Sequence, residues 1–259
     1  MSKNYSTNAI NLTSYDFSEN DKIIVMYSRE KGLIRGLAKG CKKPKSKLGA
    51  TMQALVANKI IMNKGRNLDI VSQADAIDSF KGLKKDFNKL SLSMYCAEIV
   101  SNFGVEEDAN SNEIYELLFN GLNALSEKEN TVDLLLCVLR FQLKIMAQTG
   151  LKISLKTCSN CGLGFIQNEN YKFSISAGGI LCPECYKKLT NLNGKVVSVH
   201  PKIIDFLSVL EETDFNEKTS YDEKATSKIC ITCFNLLKDY ISYYSSKKFK
   251  TVDMIEITD

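Results

Sequence analysis

Two cysteine pairs, Cys158-Ser159-Asn160-Cys161 and Cys182-Pro183-Glu184-Cys185, stand twenty residues apart, and no other pattern in the chain restricts its folding as much. Two thiolates two residues apart can aim at one tetrahedral ion from a tight turn, with metal–sulfur bonds of about 2.3 Å for zinc. The paired spacing is that of structural zinc sites. Gly162 would relieve the backbone crowding of such a knuckle. Tyr171 to Ile175 alternates as a strand, and Gly178-Gly179 makes a turn into the second pair, which together describe a zinc ribbon at about residues 151–190. Four cysteines close the coordination sphere of one ion, so the zinc is expected to be structural, held by Cys158, Cys161, Cys182 and Cys185. The competing readings are redox chemistry or a disulfide, and free thiols. Cys182–Cys185 has the C-P-x-C form of dithiol oxidoreductases, but those motifs need a strand before and a helix after, and they come without a partnered pair. A zinc deaminase would need an H-x-E or C-x-E segment, which the single histidine, His200, does not provide.

The remaining cysteines of the nine read as packing. Cys230 and Cys233 lie three apart on an amphipathic helical pattern, where cysteine acts as a small hydrophobe, and Cys96 and Cys137 read likewise. Cys41, in a basic segment, is expected to be exposed. His200 reads as a surface residue at a helix start. The odd count argues against a pure disulfide set and fits a reducing compartment. No stretch approaches about 18 apolar residues, and Met1 to Asn11 lacks the pattern of a signal peptide. The expected location is therefore the cytoplasm.

The apolar period divides the chain. Short apolar segments at Ile10–Leu12, Ile23–Tyr27, Leu33–Ala38, Leu55–Met62 and Leu68–Val71 alternate with turns, the pattern of a small five-stranded barrel. Asn63 to Asn67 reads as a hairpin connection with Gly65 at positive φ. From Phe80 the period becomes helical, with helices expected at about Ser79–Phe103, Ser111–Leu125, Thr131–Thr149, Pro201–Leu210 and Ser227–Tyr244. Thr131 is a plausible N-cap and Gly150 a C′ residue. Ser245 to Asp259 reads as a loosely held tail. The expected domains are 1–78 and 79–259, with the ribbon inserted in the second.

Charge is uneven although the net value is only +4. Arg29, Lys31, Arg35, Lys39, Lys42, Lys43, Lys45 and Lys47 face a single acid, Glu30, over Arg29–Lys47, while acids collect at Glu106-Glu107-Asp108 and beyond. Such asymmetry suits a polyanion, since lysines that neutralise phosphates release counterions. An ordinary solvated loop is the plain alternative.

Several segments, in order, resemble the RecO family: Asp16 to Lys22, Tyr27-Ser28-Arg29-Glu30-Lys31-Gly32, Ala38-Lys39-Gly40 with Lys45-Ser46-Lys47, Phe141 to Gly150, and the paired cysteines with Gly178 to Cys182 between them. Ser28 and Cys41 depart from the residues common there, and the resemblance fades after about residue 190. It implies an α+β architecture: an N-terminal five-stranded OB barrel, a central helical domain and an inserted four-cysteine zinc ribbon. It also implies a DNA repair protein that binds single- and double-stranded DNA, anneals strands, and engages RecR and the tail of single-stranded DNA-binding protein, so helping RecA load. Under it, Arg29, Arg35, Lys39, Lys42, Lys43, Lys45 and Lys47 are the expected DNA contacts. On a barrel face, Tyr15, Phe17 and Tyr27 are candidates for base stacking, with Phe17 favoured as core.

No phosphate-binding G-x-x-x-x-G-K-[ST] loop and no histidine-centred acid–base pair is present, so no enzyme activity is expected. Two other classes stay open. One is a zinc-ribbon adaptor that binds protein partners without intrinsic nucleic-acid affinity. The other is an RNA-metabolism enzyme, for which no acid–base constellation stands out.

Overall fold

Segments rich in Ile, Val, Leu and Met, residues that pack well on a pleated surface, form five strands of the computed structural model: β1 (Asn4–Asp16), β2 (Lys22–Ser28), β3 (Gly32–Ala38), β4 (Ala57–Asn63) and β5 (Asp69–Asp78). They pair in the order β1-β2-β3-β5-β4, and β4 returns to β1, so the sheet closes on itself. Every contact is antiparallel except the short parallel join of β3 to β5. Ala9, Ile24, Met26, Ile34, Ile60 and Met62 point inward as one buried cluster. A bulge lies between Asn11 and Thr13. Because side chains alternate along a strand, the extra residue reverses the inward parity of β1 from odd positions to even ones. The structure describes residues 4–167, 170–189, 194–217 and 223–255, with side chains of the last stretch from 226 onward.

Gly65 in the β4–β5 connection does not adopt the positive φ expected of it. Its role is space: a Cβ there would stand 2.0 Å from the Leu68 carbonyl oxygen.

The helical period beginning near Phe80 is not one helix from Ser79. A 3-10 turn, Lys81–Lys85, precedes α1 (Phe87–Phe103), and the break is Asp86, whose extended backbone and side chain cap α1 by accepting the Lys89 N–H at 2.9 Å. Phe80 is buried with its ring 5.3 Å from Phe119, whereas Phe87 lies exposed. The next helix, α2 (Ser111–Glu127), is amphipathic, burying Ile114, Leu118, Leu122 and Leu125. The chain forms two compact units, one running to Lys128 and resuming at Phe249, the other occupying Glu129–Lys248. Secondary structure changes from strand to helix near residue 79, but α1 and α2 stay with the closed sheet because they pack on β1 and β2.

The second unit is built on α3 (Thr131–Gln148), most of whose side chains are buried. Its cap is Asn130 rather than Thr131: the Asn130 side chain accepts the Asp133 N–H at 2.8 Å. Strands β6 (Tyr171–Ser174), β7 (Gly179–Leu181) and, after the short helix α4 (Pro183–Lys188), β8 (Val196–Val199) make a sheet in the order β7-β6-β8. Helices α5 (Pro201–Glu212) and α6 (Glu223–Tyr244) pack on α3. Cys230 and Cys233 are buried in that packing, and burial pushes the Cys230 thiol up to about 12. They act there as neutral hydrophobes. His200 is exposed and caps α5, its Nδ1 accepting the Lys202 N–H at 3.2 Å.

Arg140, 2 % exposed, interrupts the apolar run of α3. Its guanidinium donates to Thr213 Oγ1 at 3.0 Å and to the carbonyls of Phe215 and Glu217 at 3.4 and 2.9 Å. Five fixed donors let one arginine satisfy several buried acceptors at once.

Of the expected loose tail, residues 246–255 are held in place, and residues 256–259 lie outside the described residues. Phe249, 5 % exposed, packs its ring 5.8 Å from Tyr95 of α1. Glu98 accepts the Lys250 and Thr251 N–H groups at 2.9 Å each and the Thr251 hydroxyl at 2.5 Å. A carboxylate suits the unpaired N–H groups at the start of the following 3-10 turn, Thr251–Met254. Glu98→Ala should lower unfolding stability by about 1–3 kcal/mol and open the segment around Phe249 to proteolysis. An unchanged denaturation midpoint with unchanged cleavage would refute the clamp.

Candidate nucleic-acid interface and metal centre

The connection from β3 to β4 carries the lysines and is held firmly. Two inward asparagines with no exposure, Asn11 and Asn58, fix its far end. Asn11 Nδ2 donates to the Thr51 and Gln53 carbonyls, both at 2.7 Å, and Asn58 Nδ2 donates to the Thr51 and Val56 carbonyls at 2.9 and 3.2 Å. Backbone bonds between Asn11 and both Leu55 and Val56 add to them. At the near end, the Gly40 N–H donates to Asp21 Oδ1 at 2.7 Å, and the Lys42 N–H donates to the Asn20 carbonyl at 3.1 Å. The Gly40 bond holds the Asp21 carboxyl below its usual range, helped by Ser18, Lys39 and Lys43 against some burial. Cys41, expected to be exposed, is only 7 % exposed and joins Met52 in the core cluster. The connection is thus a lid on one end of the closed sheet, anchored by two buried residues, Cys41 and Met52, that bracket the run from Lys42 to Lys47.

Lys39, Lys42, Lys43, Lys45 and Lys47 all stand exposed on this lid. Lys42 pairs with Asp16 at 3.2 Å, beside a cleft of about 500 Å³ lined by Ser14, Lys22 and Gln53. Lys39, Lys43, Lys45 and Lys47 form no salt bridge among the described residues. The two arginines lie apart from them. Arg29 donates to Glu116 of α2 at 2.7 Å and to Asn112 at 2.8 Å, and Arg35 pairs with Glu106 at 3.0 Å. The acids of Glu106-Glu107-Asp108 therefore lie against part of the basic segment, with Lys31 on Glu107 at 2.9 Å.

The three aromatic candidates separate too. Tyr27, fully buried, donates its hydroxyl to Asp108 at 2.9 Å, and burial with that carboxylate raises its pKa. It cannot stack on a base. Phe17, expected in the core, is 58 % exposed, and Tyr15 is 55 % exposed. Phe17 lies past the end of β1, in the turn closed by its N–H to the Asp21 carbonyl at 3.1 Å, where no inner face remains to bury it.

In the second unit the four cysteines converge. All four Sγ atoms lie within 4.8 Å of one another, with Cys161 and Cys182 at 3.9 Å. Ligands of a tetrahedron with bonds of about 2.3 Å stand about 3.8 Å apart, whereas a disulfide needs about 2.05 Å. Gly162, at φ 73°, turns the first knuckle and donates its N–H to the Cys158 carbonyl at 2.9 Å. N–H groups also point at sulfur, from Cys182 to Cys158 at 3.3 Å and from Cys185 to Cys182 at 3.5 Å. Burial opposes ionisation of Cys158, but the N–H groups around it bring its thiol down to about 6. Asn160 donates to Cys185 Sγ at 3.2 Å, yet burial and the three neighbouring thiols push Cys185 up to about 12. Four adjacent sulfurs cannot all ionise unless a cation offsets their repulsion. The second pair does stand between a strand, β7, and a short helix, α4, as a redox motif would. The distinguishing feature is the first pair, which is brought to the same point.

Nothing in the residue pattern marked out the asparagines that hold the lid. Asn11 and Asn58 lie among apolar residues and read as strand positions; only their pairing partners reveal the role.

The comparisons agree over nearly the whole chain. Residues 1–80 match the family described as Recombination protein O N terminal, and residues 84–253 match Recombination protein O C terminal. The DNA repair protein RecO of Desulforamulus reducens is 29 % identical over 98 % of this chain and 94 % of its own length. That of Dehalococcoides mccartyi strain 195 is 30 % identical over 81 % of this chain and 79 % of its own. That of Nostoc punctiforme is 32 % identical over 78 % and 69 %. Two family matches that together cover nearly the whole chain, with relatives similar over most of their own length, show that the chain belongs to the RecO family of DNA repair proteins.

Proposed function

We propose that this chain is a non-catalytic recombination mediator whose closed N-terminal sheet is an OB barrel that holds DNA through the lysine lid. The observation that carries the reading is the lid itself. Lys39, Lys42, Lys43, Lys45 and Lys47 are exposed on a backbone tied down at both ends, and among the described residues only Lys42 is in a salt bridge, while Lys39 and Lys43 lie close enough to Asp21 to act on its charge. Amines without protein counterions attract phosphates, and counterion release then supplies the affinity. Arg29 and Arg35 join the contact surface only by exchanging Glu116 and Glu106 for phosphate. Holding two strands on one positive surface favours annealing. Displacement of single-stranded DNA-binding protein by mass action, with RecR as a partner, would let RecA load.

In this reading one zinc ion is held by Cys158, Cys161, Cys182 and Cys185, and its role is to brace β6, β7 and α4. Four thiolates leave no open position for a reacting water. The domain division proposed is 1–78 for the DNA-binding barrel and 79–259 for the helical part with its ribbon, acting in the bacterial cytoplasm at the nucleoid. The adaptor reading draws on the exposed Leu163, Ile166 and Tyr186 of the ribbon. It requires partner binding without affinity for free oligonucleotides.

Anisotropy titration with single-stranded DNA across a salt series separates the two readings. The Lys42→Ala/Lys43→Ala/Lys45→Ala/Lys47→Ala variant should bind more weakly, with a salt slope shallower by up to about 3. An unchanged slope would remove the lid from the interface, and no binding by the unaltered protein in dilute buffer would leave the adaptor reading. Purified protein should carry one zinc per chain by elemental analysis. Cys158→Ser/Cys182→Ser should abolish that zinc and lower the melting temperature while sparing the salt slope. Metal-free protein with oxidised cysteine pairs would overturn the zinc assignment.

A further inference from the structure

Cross-strand pairing places one outward row of side chains beside the lysine lid. Tyr15 pairs with Ile23, Ile23 with Leu37, and Leu37 with Ile70, so the row crosses β1, β2, β3 and β5. Its facing is fixed by its neighbours. Ser14 pairs with Ile24, and Ile24 with Gly36. Ile24 belongs to the inner cluster, and a Cβ on Gly36 would meet the inward Met62 side chain at 2.6 Å. Side chains one residue on point to the opposite face. At the row's edge Tyr15 and Phe17 are more than half exposed, and Ile23, Leu37 and Ile70 are partly so. Farther along β2 the same outer face is covered, since Val25 and Tyr27 are buried.

The lid meets this row directly. Lys39 follows the end of β3 two residues after Leu37, and the Phe17–Asp21 turn is bonded to Gly40 and Lys42. Aromatic rings thus stand at one tip alongside exposed amines; of the carboxylates there, Asp16 and Asp21 are engaged by Lys42 and by the Gly40 N–H, and Glu19 of the same turn is exposed to solvent.

A ligand complementary to this surface must offer planar apolar faces at short intervals along a polyanion. Single-stranded DNA does, because its bases are unpaired; a duplex presents the same phosphates with its base faces hidden. We propose that Tyr15 and Phe17, backed by Ile23 and Leu37, form a stacking platform that makes the protein prefer single strands to duplex. This rests on the DNA-binding reading above and adds to it the group that distinguishes the two kinds of DNA.

The test uses the full chain and three probes of equal length: oligo(dT), a duplex, and an abasic strand with the same backbone. Tyr15→Ala/Phe17→Ala should weaken oligo(dT) binding about 5- to 100-fold, the range for losing one stacked base or more. Duplex and abasic affinities, and the salt slope, should stay unchanged. Because the chain contains no tryptophan, Phe17→Trp gives a second readout: its fluorescence should be quenched by oligo(dT) and not by the abasic strand. Equal loss on all three probes, or no loss and no quenching, would overturn the platform. Either result could stand beside an intact salt response of the lysine lid. Absence of all binding by the unaltered protein would instead defeat the underlying DNA reading, and the platform with it.

Discussion

The lysine lid depends on two carboxamides placed where a closed apolar sheet would ordinarily put hydrophobes. Asn11 and Asn58 reach from the interior to the backbone of residues 51–56. A buried amide N–H costs free energy unless it finds an acceptor. Here each finds loop carbonyls, so the sheet and its lid order each other. Lysines on an unattached loop would lose conformational entropy on meeting a phosphate chain; on this lid much of that ordering is already done by folding. Cys41 and Met52 complete the attachment from the apolar side.

Much of this was legible in the residues because it rests on spacing. The strands follow from short β-branched runs, α2 and α3 from their apolar period, and the four-cysteine cluster from two C-x-x-C pairs. Failures came where a local signal had two physical meanings. Phe80, Leu83, Phe87 and Leu90 fit a helical period, yet Asp86 caps a new helix and leaves Phe87 in solvent. Gly65 signals a turn, but it serves close approach rather than handedness. Phe17 is large and apolar, which usually means core, and only its place beyond the last paired residue of β1 turns it outward. β8 is four residues long and offered too little alternation to separate it from its surroundings.

Charge was the least transferable signal. Counting basic residues from Arg29 to Lys47 describes one segment, but the fold divides it. Arg29, Lys31 and Arg35 face acids of α2 and of the stretch before it, while the lysines from Lys39 onward face solvent. Exposed pairs of this kind contribute little to stability. Their effect is on the surface, where they offset the charge of that part of the basic segment and leave the lysines from Lys39 onward largely uncompensated. Arg140 shows the same limit from the inside: it reads as an interruption in α3, and nothing in the spacing announces that carbonyls near residues 215–217 await it.

The clamp of Glu98 on Lys250 and Thr251 makes the first unit discontinuous, with Glu129–Lys248 of the second unit lying between its parts in the sequence. On a ribosome, which delivers the chain from its amino end, the closed sheet and α1 emerge well before Phe249 does. The pocket over Tyr95 must wait, uncovered, until translation has passed the ribbon and α6. Completion of the first unit is thereby coupled to synthesis of the stretch between Lys128 and Phe249, so a product truncated before Phe249 lacks the ring that packs on Tyr95.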